Sequence, residues 1–132
     1  MKRLILVRHA KSDWSLPDQE DWDRPLNARG QRDAPEMARR LRSRRLKPDR
    51  ILSSPAVRAL TTATIMTREL RVAPSLLTAE ERLYLAAPVD LLQVLREFGG
   101  ASRQLMVVGH NPGITEFANR LSADDTIDNM PT

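Results

Sequence analysis

The sequence predicts an α/β protein, a three-layer α/β/α sandwich around a mostly parallel sheet. Three observations predict it. Short apolar runs at 3–8 ("RLILVR"), 50–54 ("RILSS") and 104–110 ("QLMVVGH") have the length and composition of buried strands. Segments with helical spacing lie between them, so strand and helix alternate along the chain. Parallel neighbours need such crossovers, which place helices on the faces of the sheet.

Element by element, the first strand spans 3–8. "PLNARGQRDAPEMARRLRSRRL" (25–46) follows, with Ala34, Met37, Ala38 and Leu41 spaced as one helix face. Asn27 suits the cap of an early turn, and Pro35 suits a first turn better than an interior, so regular helix is expected from about Asp33. After the second strand, Pro55 announces a helix over 56–70, read through Leu60, Ala63, Thr64, Met66 and Thr67. Residues 72–87 carry apolar patches without a sustained period and read as a loop with room for a short strand or helical turn. "PVDLLQVLREF" (88–98) is a helix with Val89, Leu92, Leu95 and Arg96 marking its turns, stopped by Gly99-Gly100. After the last strand, Asn111 and Pro112 open a helix over 111–121. The closing "SADDTIDNMPT" is polar.

The 132 residues fit one domain, 1–132, without internal repeats or linkers. Cysteine is absent, which excludes disulfides, thiolate metal sites and a thiol nucleophile. No apolar run reaches the roughly 20 residues that span a bilayer, and only four apolar residues separate Arg3 from Arg8, too few for a signal peptide. A cytoplasmic protein is expected. The net charge of +4 is local: residues 39–50 carry seven basic side chains and one acid. That run reads as a solvated helix face, with an acidic partner as the minority reading. No aromatic residues interleave it for base stacking, so nucleic acid is not expected as a partner.

Both histidines of the chain directly follow an apolar strand, His9 after 3–8 and His110 after 104–109. In a parallel sheet the ligand crevice lies beyond the carboxyl ends of the strands. That brings Arg8-His9, "SSPAVR" (53–58) with its Arg58, and Gly109-His110-Asn111 into one neighbourhood. Two guanidinium groups would repel a metal ion, but their donor forks match a phosphoryl group, and helix N-termini add backbone N–H groups. A neutral imidazole in such a pocket can attack phosphorus, and neighbouring arginines favour the neutral form.

These motifs resemble the histidine phosphatase (phosphoglycerate mutase-like) superfamily. "LVRHA" (6–10) is similar to its Arg-His-Gly signature with Ala10 for Gly, "SSPAVRALTTA" (53–63) to its Ser-Ser-Pro…Arg-Ala…Thr-Ala segment, and "VVGHNPGI" (107–114) to its second-histidine segment. "DRPLNARG" (23–30) and "DNMPT" resemble the small bacterial phosphohistidine phosphatases of the SixA type.

The resemblance implies a phosphoglycerate mutase-like fold and a metal-independent phosphatase that needs no cofactor. His9 would be the nucleophile, with Arg8, Arg58 and His110 holding the phosphoryl oxygens. Glu81, in the pattern Glu-Arg-x-Tyr, is the choice for proton donor over Glu80. Ser12 and Ser15 are candidate phosphate contacts, and Lys11 and Trp14 would line the entrance. Asn111 is read as a helix cap, and Trp14 and Trp22 as packing residues. Relatives of this size continue into a further strand, so the sheet ending at Thr132 is expected to lack its C-terminal strand and to expose an edge. The expected reaction is hydrolysis of phosphohistidine on a protein through a phosphohistidine intermediate at His9. The alternatives are a small-molecule phosphomonoesterase and a non-catalytic phospho-ligand binding module. A monomer or weak dimer is expected, with a phosphorylated protein or small phosphate ester as substrate.

Overall fold

The computed structural model describes residues 3–122 and 128–132; Met1, Lys2 and residues 123–127 of the closing polar segment lie outside the described residues. Four strands, β1 (Arg3–Arg8), β2 (Arg50–Ser53), β3 (Leu77–Ala79) and β4 (Gln104–Gly109), form one sheet in the order β1-β4-β2-β3. Every pairing among them is parallel. Helices α1 (Ala28–Ser43), α2 (Val57–Glu69), α3 (Pro88–Phe98) and α4 (Gly113–Leu121) alternate with the strands. The expected sandwich is therefore the fold. Its fourth strand, β3, comes from the stretch left open at 72–87.

Side-chain alternation along β4 divides the apolar interior into two layers. Leu105 and Val107 pack with Leu52, Leu91, Val94, Ile114 and Phe117 beneath α3 and α4. Met106 and Val108 pack with Ile51, Ala38, Ala59, Ala63 and Met66 beneath α1 and α2. A strand buried on both faces has no polar side, which is why 105–108 reads as an unbroken apolar run. Each such side chain withdrawn from water contributes about 1.5–3 kcal/mol. β1 lies at an edge of the sheet and its apolar residues are only partly buried. A groove of about 500 Å³ runs beside it, between Ile5, Val7, Met37, Met66 and Met130.

Sequence expectations for three helices are corrected. Helix α1 starts at Ala28, one residue after Asn27, whose Oδ1 accepts the Gly30 N–H at 2.9 Å. This cap starts the helix a full turn and more before Pro35, which then sits in the interior and removes one backbone bond. The close seat of α1 requires Gly30, because a Cβ there would collide with the Lys11 carbonyl. Met37 is exposed, and the small residues Gly30, Ala34 and Ala38 form the buried stripe. In α2, Thr64 is exposed while Arg58, Ala59, Thr62, Ala63, Ile65 and Met66 are buried. In α3, Val89 and Leu92 face solvent and Leu91, Val94 and Leu95 face the core. Both α2 and α3 carry apolar or small residues at more than one phase, so spacing alone does not select the buried stripe. The basic run is a solvated face: Arg39 and Arg40 pair with Glu36, and Arg42 donates to the Glu69 carbonyl.

Candidate active site

Strand pairing sets the two histidines side by side. Arg8 of β1 is opposite Gly109 of β4, so His9 and His110 leave adjacent strands at the same level. The His9 N–H donates to the Gly109 carbonyl at 3.0 Å, and the two rings lie 5.3 Å apart between centroids. Beyond β2, the Ser54 N–H donates to the Val108 carbonyl, and α2 then turns Arg58 inward, where its side chain is only 2% exposed.

The partners of each ring fix its proton. Nδ1 of His9 lies 2.7 Å from the Ala10 carbonyl, which can only accept, so Nδ1 carries the proton and Nε2 keeps its lone pair. Nδ1 of His110 lies 3.3 Å from Nη2 of Arg58, which can only donate; its proton is therefore on Nε2, 2.7 Å from Ser54 Oγ. Burial pushes His9 down to about 4, against the opposing Ala10 carbonyl and with help from Arg58, Arg8 and Arg24. Burial, then Arg58 and His9, push His110 down to about 3. Both rings are neutral at pH 7.

A pocket of about 230 Å³ opens over these rings. Arg8, Lys11, Arg24 and Arg58 line it with positive charge, and Trp14 and Leu85 form exposed parts of its rim. Arg8 Nη1 donates to the Met130 carbonyl, while the buried Nε atoms of Arg8 and Arg58 have no protein acceptor. Buried donors of this kind suit a multi-oxygen anion. Arg24 donates to Ser12 Oγ at 2.6 Å and stacks on Trp14, 3.4 Å from the ring centre.

The pocket contains a carboxylate that sequence reasoning did not select. Asp21 Oδ2 accepts from Arg58 Nη2 at 2.9 Å and from the Tyr84 hydroxyl at 2.5 Å, and Oδ1 accepts from Arg24 at 3.1 and 3.2 Å. Partial burial opposes ionisation of this group, but the bonds from Tyr84, Arg58 and Arg24 prevail and hold it down to about 2. Asp21, Arg24 and Tyr84 were all missed as site residues. The signal for the first two was present in "DWDRPLN", where an acid and a base stand one helical turn apart just before a cap.

Of the sequence-predicted site residues, Arg8, His9, Ser12, Arg58 and His110 come together in this pocket, with Lys11 and Trp14 as expected at its walls. Ser15 does not join them; it is exposed, and its N–H donates to Asp13 Oδ1. Glu81 does not join them either. It is exposed at the start of the short turn Glu81–Leu83, outside the pocket lining. Asn111 does cap its helix, accepting from Thr115 N–H and Oγ1, and its amide also donates to Asn129 and the Met130 carbonyl. Trp22 packs against Tyr84 with ring centroids 4.7 Å apart.

Residues 4–83 match the histidine phosphatase superfamily (branch 1). The chain belongs to this superfamily. An uncharacterized chloroplastic protein of Arabidopsis thaliana is 33% identical over 132 residues, covering 92% of this chain and 59% of that protein. The chain thus spans well under two thirds of that relative. Among solved histidine phosphatase structures, a protein of Agrobacterium tumefaciens provisionally named phosphohistidine phosphatase SixA superposes with a TM-score of 0.83. It is 31% identical, over 93% of this chain and 79% of that one. The protein histidine phosphatase SixA complexed with tungstate superposes with a TM-score of 0.79 at 25% identity, over 98% and 81% of the two chains. Among the described residues, no helix is long and apolar enough to cross a membrane.

Proposed function

We propose that this chain is a phosphatase that works through a phosphorylated His9 and acts on phosphohistidine carried by a protein. One observation carries the reading: two neutral histidines lie beside the guanidinium groups of Arg8 and the buried Arg58, and His9 keeps an unprotonated Nε2. In the first step the Nε2 lone pair attacks phosphorus. The bond from phosphorus to the leaving group breaks, and its electron pair departs with that group. Arg8, Arg58, His110 and Ser12 surround the phosphoryl oxygens and stabilise their charge. In the second step water attacks the phosphorus on His9, and the bonding pair returns to Nε2. His9 leaves as a neutral imidazole, because Nδ1 keeps its proton, hydrogen-bonded to the Ala10 carbonyl, and the protons of the attacking water go with the departing phosphate.

The leaving group decides the substrate class. Asp21 is the carboxylate in the pocket lining, and its hydrogen bonds keep it ionised, so it has no proton to give. An alkoxide leaving from a sugar or serine phosphate needs one. A phosphorylated imidazole protonated on its far nitrogen departs as a neutral ring and needs none, since imidazole titrates near 6.5. The rim adds support: Trp14 is 70% and Leu85 56% exposed, which leaves the pocket open to a group presented by a large partner.

The test is hydrolysis of a phosphohistidine-bearing protein and of the alkyl ester O-phosphoserine by wild type and His9→Ala. Wild type should prefer the phosphohistidine protein by at least about 10²-fold in kcat/KM, and His9→Ala should lose about 10³-fold or more on both. Preference for an alkyl phosphate would assign a small-molecule phosphomonoesterase instead. Tight phosphate binding without turnover would assign a binding module.

A further inference from the structure

We infer that Asp21 sets the oxyanion affinity of this pocket, as an internal anion that holds the Arg58 guanidinium and yields its Nη2 to an incoming phosphoryl group. The inference rests on the reading of Arg58 as a phosphoryl ligand. Both ends of the guanidinium fork are on Asp21: Nη1 donates to its backbone carbonyl at 2.6 Å and Nη2 to its carboxylate at 2.9 Å. A phosphate would take Nη2 side by side with Nε, which has no protein acceptor. The partners differ in freedom. Arg58 is buried in α2 with a side chain 2% exposed, whereas the Asp21 side chain is 42% exposed in the short turn Asp21–Asp23. The carboxylate is therefore the partner that moves.

Release does not strand it. Without Arg58, the Asp21 carboxylate keeps Arg24 and the Tyr84 hydroxyl, so no charged group is left without a donor. The exchange has a purpose in a site built from four cations, Arg8, Lys11, Arg24 and Arg58. A dianion gripped by all four would bind strongly as substrate and leave slowly as phosphate. A resident carboxylate subtracts from the affinity of both, by competition for the fork when it is displaced and by like-charge repulsion while it stays near. Uniform loss of ground-state binding raises KM and speeds release.

The experiment is calorimetric titration of inorganic phosphate into wild type, Asp21→Asn and Asp21→Ala, with KM and kcat for p-nitrophenyl phosphate measured in parallel. The expected result is a phosphate Kd about tenfold lower in both variants, a lower KM, and a kcat that does not rise. An unchanged or higher Kd in variants that retain the wild-type melting temperature would overturn the inference, making Asp21 a brace that aligns Arg58. A structure of wild type with phosphate bound serves if the variants fail to fold. The Asp21–Arg58 contact should then be open, and an intact contact beside a phosphate seated on Arg58 would overturn the inference. Failure of the phosphatase reading looks different: no His9-dependent turnover on any substrate, with phosphate affinity still reporting on Asp21.

Discussion

His9 and His110 face each other at 5.3 Å with their ring planes tilted by 57°, and each directs its single ring proton away from the other, to Ala10 and Ser54. The pairing is a product of strand register, since each histidine follows a residue of one β1–β4 pair, Arg8 opposite Gly109. Two neutral rings this close avoid the repulsion that two imidazolium ions would suffer.

Nitrogen-15 spectra of the imidazoles should accordingly show a neutral Nδ1–H tautomer for His9 and a neutral Nε2–H tautomer for His110. Neither signal should titrate between pH 5.5 and 8, given values near 4 and 3 in the folded state. Free imidazole titrates near 6.5, so between that pH and the folded values the unfolded chain binds more protons than the native one. Stability is then full above pH 6.5 and declines as the pH falls toward 4 and 3. The chain has two histidines, so a drop in denaturation midpoint from pH 7 to pH 5 reports on this pair. The loss should be up to about 2 kcal/mol per ring.

Arg58→Lys should behave as a severe lesion. An ammonium cannot reproduce a fork that reaches the Asp21 carbonyl, the Asp21 carboxylate and His110 together. Turnover should fall by about 10²–10³-fold in steady-state kinetics, and Arg8→Ala should match it.

Glu81→Gln should change activity on either substrate less than about twofold, because the exposed carboxylate stands outside the pocket and imidazole departs without an acid. A large loss confined to O-phosphoserine would restore the donor role that the Glu-Arg-x-Tyr pattern first implied.

Asn27→Ala should lower stability by about 1 kcal/mol in urea denaturation through loss of the bond to Gly30 N–H. Gly30→Ala should cost more, since its methyl group would strike the Lys11 carbonyl.

The site was legible where chemistry and topology coincide. A histidine ending an apolar strand is readable in one dimension, and parallel pairing then brings its counterpart alongside. Arg58 was readable for the same reason, at the first turn after β2. Asp21 and Tyr84 were not, because the bond joining them crosses from the long loop after β1 to the turn after β3. Nothing local in either segment announces the other. The faces of α2 and α3 were misphased by one position at Thr64, Val89 and Leu92, where apolar or neutral residues on the solvent side imitate the buried stripe. The start of α1 was misplaced by giving Pro35 more weight than the cap at Asn27, although a capped helix absorbs one missing bond.

The pairing of β1 with β4 also joins distant parts of the chain. His9 follows the first strand of the sheet, but its neighbour strand, residues 104–109, is the last of the four in chain order. Until that strand inserts between β1 and β2, His9 lacks the Gly109 carbonyl, His110 and the layer that buries it. Without that strand the His9 ring would lose much of the burial that lowers its basicity. The pocket around His9 is thus complete only when the central strand, the last of the four in the chain, is in place between β1 and β2.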